Sequence, residues 1–142
     1  MGQQQLLLIV LGVIVVGIAV VVGINLFNAN AETSTQDSIV SQGTNIGAMA
    51  QQYYKKPVAM GGGGNTFTNG PNGTNFADYF ANLPQNLRVS SDADWTQTAV
   101  SVSDSQVVLT ATPIDAGYAA KWTVVTTVTP TQITSVVTPS GN

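Results

Sequence analysis

Residues 6–27 read LLLIVLGVIVVGIAVVVGINLF, and no charged residue stands between Met1 and Ala31. At about 1.5 Å of rise per residue this stretch reaches roughly 33 Å as a helix, enough to cross the hydrocarbon of a bilayer. Only Gly12, Gly17, Gly23 and Asn25 interrupt the aliphatic run. A helix built from it therefore lacks the polar face that a surface helix of a soluble domain carries. It must be enclosed on every side by apolar matter, either lipid or further copies of itself.

Ahead of this run stands MGQQQ. A secretory signal or a simple start-transfer anchor carries Lys or Arg before its apolar core, and this head has neither. The head predicts that a leader has been removed upstream and that Met1 is a mature N-terminus. With this head and the twenty or so apolar residues behind it, the chain resembles the type IV pilin family. In that family a short basic leader is cut after a glycine, and the first mature residue is often Phe or Met. The fifth is usually Glu; here it is Gln5, in the run Gln3, Gln4, Gln5. The family's ion pair between that carboxylate and a neighbour's α-amino group does not carry over. An amide would accept a weaker hydrogen bond from the Met1 ammonium instead. Val22 stands where the family often has proline, beside Gly23.

Downstream, residues 28–37 read NANAETSTQD, polar and poor in strong helix formers. Ser34 and Asp37 have capping-box spacing, so a break and restart is one reading. The resemblance implies one continuous helix, and continuity is the expectation here. From 38 to 54 the pattern becomes amphipathic: Ile39, Ile46 and Tyr53 recur every seven residues, flanked by Val40, Gly43, Gly47, Ala50 and Tyr54. Gly43, Gly47 and Ala50 are small enough to let a sheet or a second helix approach closely. Lys55 and Lys56 suit the negative end of a helix dipole, and Pro57 is a stop signal. One helix over 3–54 would be roughly 78 Å long, so its first half must project beyond any small domain packed on its second half. The glycines and valines predict local melting near 17–23.

The rest of the chain limits the chemistry. The 142 residues carry four basic and seven acidic side chains, no cysteine and no histidine. Lys55, Lys56, Arg88 and Lys121 are too scattered to form a nucleic-acid groove. Without His or Cys the commonest general base and metal ligand are missing, and the disulfide of many bacterial pilins is ruled out. No carboxylate pair, Ser-Lys dyad or tyrosine stands out at a catalytic spacing. No catalysis, cofactor or metal is expected.

Residues 58–75, VAMGGGGNTFTNGPNGTN, are loop punctuation. The four glycines lack the Gly-Lys-Ser/Thr ending of a phosphate-binding loop. Asn72 begins an Asn-Gly-Thr glycosylation pattern, which is also common by chance. Asn75 is positioned to cap a short helix over 76–83, with Phe76, Tyr79, Phe80 and Leu83 on one face and Pro84 ending it. Those aromatics read as core rather than as a ligand cage. Asp92 and Asp94 form a D-x-D that reads as a solvated turn, since the glycine and terminal Glu of a calcium loop are missing. From 96 onward Val, Thr and Ile predict strands at 96–102, 106–112, 119–128 and 131–137. Val100, Val102, Val107, Leu109, Trp122, Val124, Val128, Ile133 and Val137 are the candidate buried face. Lys121 reads as a surface residue over a ring.

The expectation is an α+β chain. Residues 1–31 form a membrane span or filament core, 32–56 an amphipathic continuation, 57–95 a Gly/Asn-rich loop with a short helix, and 96–142 a four-stranded antiparallel sheet. The resemblance implies a lollipop-shaped subunit of an extracellular pilus. It also implies a prepilin peptidase and pilus assembly machinery as partners, a single-pass stage in the inner membrane, and roles such as adhesion, twitching, DNA uptake or secretion. The chain would polymerise with itself and bind no nucleic acid alone. Met1, Gln3, Gln4, Gln5, Leu6, Gly12, Gly17, Gly23 and Phe27 are the candidate assembly residues. Two alternatives stay open: a minor pilin or secretion pseudopilin, and a single-span anchored binding module with its ligand at 57–75.

Overall fold

The computed structural model describes residues 2–96 and 100–141. The chain divides into two compact units, Met1–Ser34 and Thr35–Asn142. A single helix, α1 (Gln3–Lys55, 53 residues), supplies the first unit's structure and opens the second. Neither the polar stretch at 28–37 nor the glycines break it. The melting expected near 17–23 does not occur. Each glycine costs about 1 kcal/mol relative to alanine, but Gly12, Gly17 and Gly23 are isolated among residues that hold the helix on both sides. The Ser34/Asp37 spacing is likewise absorbed as ordinary helix.

In the second unit α1 buries one stripe: Ile39, Gly43, Ile46, Gly47, Ala50 and Tyr53. The stripe packs on a small antiparallel sheet, giving the α+β layout. β3 (Val107–Pro113) and β4 (Trp122–Val128) each alternate strictly between buried and half-buried residues, as strands with one face on a core do. β5 (Ile133–Pro139) forms a hairpin with β4 along its full length, from Val128↔Ile133 to Trp122↔Pro139. Val107, Leu109, Trp122, Val124 and Val128 are buried, and Val100, Val102, Ile133 and Val137 lie half-buried against the same core.

The glycines of the stripe set the distance between helix and sheet. A Cβ on Gly43 would stand 2.3 Å from Thr126 Oγ1 and 2.8 Å from the Trp95 ring, and one on Gly47 would stand 2.8 Å from Ile133 Cγ2. Polar contacts fix the rest. Ser38 donates to Asp92 (2.7 Å), Ser90 donates to Gln42 (2.9 Å), and Gln51 donates to the Thr129 carbonyl (3.0 Å).

The structure departs from the expected four-strand meander. Among the described residues the sheet has five strands in the order β1-β3-β4-β5, with β2 also on β3. β1 (Ala93–Asp94) pairs with Pro113 and Thr112, so the D-x-D is a short strand with Asp92 tied to α1. Of the strand expected over 96–102 only β2 (Ser101–Val102) is seen, and 97–99 lie outside the described residues. β4 starts at Trp122 because Asp115 caps a helical turn, α4 (Ala116–Ala119), by accepting from the Gly117 amide. α2 (Phe76–Ala81) has the expected Asn75 cap, reciprocated by Asp78. It stops short of 83, and a further turn, α3 (Gln85–Arg88), follows Pro84. Lys121 does sit over a ring, with Nζ 5.8 Å from the Tyr118 centroid, and Tyr118 stacks on Trp122.

The glycine-rich loop folds back on the end of α1. A helix C-terminus leaves carbonyls without partners. Here the amides of Gly63, Asn65 and Gly64 donate to the carbonyls of Tyr53 (2.8 Å), Tyr54 (2.7 Å) and Lys56 (2.9 Å). Gly61 takes the left-handed φ of +84° that turns the chain back.

Candidate functional site

The first unit presents the least ordinary chemistry in the chain. The most apolar 18-residue window of α1 has a mean hydropathy of 3.3, and 0% of it is buried. Every large side chain from Leu6 to Phe27 is exposed, from 53% at Leu11 and Ile14 to 76% at Phe27. Soluble monomers rarely expose contiguous apolar surface beyond a few hundred Å². This helix is long and apolar enough to cross a membrane.

The geometry of α1 sorts the candidate residues. At about 100° per residue, Gln5, Gly12 and Gly23 fall within roughly 20° of one line along the helix, while Gly17 lies about 120° from Gln5. A Cβ on Gly12, Gly17 or Gly23 would meet nothing within 4 Å. Ala19 falls about 40° from the same line and four residues before Gly23, a small-xxx-small pair. Sequence reading missed Ala19, although the angular spacing of small residues was there to find it. Gln3, Gln4, Gln5 and Leu6 form the exposed first turn, where the Leu6 amide donates to the Gly2 carbonyl at 2.9 Å. Met1 lies outside the described residues.

Among the described residues no three acidic, Cys or His side chains gather as a metal group would. An open cleft lined by Gln42, Met49, Leu87, Arg88 and Trp95 engages its central amide already, since Gln42 Oε1 accepts from Ser90 and from Trp95 Nε1. The 57–75 loop is not a slack ligand lid. Gly62, Gly63 and Gly70 are buried, and its amides bond to the end of α1. Asn72 is exposed at φ +60°.

The Tyr53 hydroxyl is buried beneath this loop without a hydrogen-bond partner. Burial first, then the nearby Asp78 carboxylate, push its pKa above the usual tyrosine value; the Thr74 side chain pulls the other way. Thr74 donates its own hydroxyl to the Pro71 carbonyl. Around it, Phe76 meets the Tyr53 ring edge-on at 5.6 Å and Tyr79 lies at 5.0 Å. These are core contacts. They pack the loop and α2 onto α1.

The chain matches no protein-family model, no curated protein and no solved structure.

Proposed function

We propose that the chain is a structural subunit of an extracellular type IV-like pilus, polymerising through residues 6–27. The observation that carries this reading is the apolar segment itself, exposed around its whole circumference. No residue of this segment belongs to the buried hydrophobic cluster, which begins at Ile39. A one-sided stripe would call for one partner surface; an all-round apolar rod calls for an enclosing bundle or a bilayer.

Both surroundings enter the mechanism. The subunit waits as a single-span protein in the inner membrane, then passes from lipid into a bundle of identical helices. Lipid tails are about as apolar as leucine, so the transfer carries no large hydrophobic penalty. Once the bundle stands in water, each buried aliphatic side chain resists release by about 1.5–3 kcal/mol. Summed over many subunits, this makes exchange slow. Gln5, Gly12, Ala19 and Gly23 share a line on the helix along which neighbouring backbones can approach, and the glutamines supply hydrogen bonds to set register. A prepilin peptidase and assembly machinery are the partners this route requires.

The anchored-module reading draws on the same span but needs a ligand at 57–75. Three amides of that loop, those of Gly63, Gly64 and Asn65, are engaged on the end of α1. The test is electron microscopy of the purified protein without detergent. Long uniform fibres are expected; a minor pilin or pseudopilin would be scarce in such fibres. Particles of one subunit held only by detergent or lipid would refute the filament reading.

A further inference from the structure

Among the described residues no strand pairs with the outer edge of β5, the strand whose Ile133 and Ser135 lie against Gly47 and Gly43 of α1. β5 is the terminal strand in the order β1-β3-β4-β5, while the opposite margin, on β3, is capped by β1 and β2. Edge strands are templates for a further strand, and proteins usually blunt them with charge, brevity or a bulge. β5 has none of these. It is seven residues long, pairs in unbroken register with β4, and no charged residue occurs from Trp122 to the end of the chain.

The pairing fixes which groups face outward. The Ser140 amide donates to the Lys121 carbonyl and the Thr129 amide to the Gln132 carbonyl, each at 2.8 Å. Hydrogen-bonded pairs alternate along an antiparallel ladder, so Thr134, Val136 and Thr138 bond to β4. The amides and carbonyls of Ile133, Ser135 and Val137 then point out of the sheet. Pro139 has no amide, which closes one end of this open row.

We propose that β5 pairs antiparallel with β5 of a second copy, centred on Ser135. This register sets Ile133 opposite Val137 of the other copy and engages all three outward residues on both strands. No other register engages as many. It also sets Thr134 opposite Val136 of the other copy, on the face away from α1. Both are exposed, Val136 at 53%. A second copy is the favoured occupant because the row of open groups is its own complement under a two-fold axis, and neither strand brings a charge to repel the other.

Subunits within one helical filament are related by a screw operation, not by a two-fold axis at the surface. Resting on the filament reading, the contact therefore joins subunits of two neighbouring filaments and bundles them. A single edge-to-edge contact is far smaller than the ~1,200 Å² of a stable interface, so each one is weak. Repeated along two filaments, weak contacts sum through effective concentration.

The test uses the full chain in excess detergent, which occupies the apolar segment, with self-association followed by analytical ultracentrifugation. The wild type should dimerise with rising concentration, and the amides of Ile133, Ser135 and Val137 should gain hydrogen-exchange protection as it does. Thr134→Lys/Val136→Lys places like charges directly across the contact, twice by symmetry, and should weaken dimerisation about tenfold. Thr134→Lys/Val136→Glu places Lys opposite Glu and should restore it. Tryptophan fluorescence checks that both variants are folded. A wild type monomeric at every concentration, or a double-lysine variant that dimerises like the wild type, overturns the proposal. On filaments the double-lysine variant should give single fibres where the wild type gives bundles. Absence of fibres from every variant would instead count against the filament reading and leave the detergent result standing.

Discussion

Gly43→Ala adds one methyl group where the helix and sheet meet. In the interior of a helix the exchange favours alanine by about 0.8–1 kcal/mol. Against that, the new Cβ would stand 2.3 Å from Thr126 Oγ1, 2.8 Å from the Trp95 ring and 3.2 Å from Ser135 Oγ. None of these atoms is a free end. Thr126 and Trp95 are buried, and the Thr126 and Ser135 hydroxyls bond each other at 2.9 Å. Overpacking of this kind costs about 1–3 kcal/mol, and the rigidity of the neighbours argues for the upper half of that range. The net loss is about 1–2 kcal/mol. At roughly 4–8 °C per kcal/mol for a domain near this size, Tm should fall by roughly 5–15 °C. The assay is thermal unfolding of the full chain in detergent, read by fluorescence. Both tryptophans, Trp95 and Trp122, are buried in the second unit. Gly12→Ala is the matched control, because its new methyl meets nothing within 4 Å. Its Tm should be no lower than the wild type's, while fibre formation should suffer if, as proposed, that face meets other copies. A Gly43→Ala protein as stable as the wild type would refute the close-approach argument.

The remaining predictions concern both units. Gln5→Leu should leave the folded unit unchanged but slow fibre assembly or blur subunit register, measured by light scattering and fibre diffraction; unchanged kinetics and register would remove the role given to Gln5. Gly63→Ala would drive a Cβ to within 1.8 Å of the Thr66 carbonyl oxygen. It should destabilise the second unit by more than ~3 kcal/mol in urea titrations, beyond the usual overpacking range. Tyr53→Phe removes a buried hydroxyl that has no partner, and should be neutral or stabilising by up to ~1 kcal/mol. The same residue sets an alkaline limit. Its folded pKa lies above the unfolded value near 10, so folding keeps the phenol neutral. The stability tied to the neutral form is present below pH ~10 and is lost as pH rises through the raised folded pKa. Tyr53→Phe should flatten that alkaline loss in pH-dependent urea unfolding.

The parts legible in sequence were those set by local periodicity. The seven-residue recurrence of Ile39, Ile46 and Tyr53 marked the buried stripe, and the alternation through Val107, Leu109, Trp122, Val124 and Val128 marked the inner face of the sheet. What escaped depends on partners distant in the chain. β1 exists because Ala93 and Asp94 find Pro113 and Thr112, and two residues carry no pattern of their own. α4 interrupts a Val/Thr-rich run because one carboxylate, that of Asp115, caps it. The 61–64 glycines read as slack chain, yet they close the carbonyls at the end of α1. In the first unit the apolar rod was plain from composition. The glycines there stand out as assembly residues, but the line shared by Gln5, Gly12, Ala19 and Gly23 takes the angular geometry of the helix to see. The open edge of β5 follows from strand order, which strand-by-strand reading does not supply.

The central claim is that the rod at 6–27 is enclosed by sister molecules. A photo-crosslinking amino acid at Ile14, exposed at 53% in the isolated chain, tests this in detergent-free purified material. Mass analysis should reveal a ladder of chain-to-chain adducts joined within 6–27. Adducts to phospholipid alone, with no joined chains, would contradict the account.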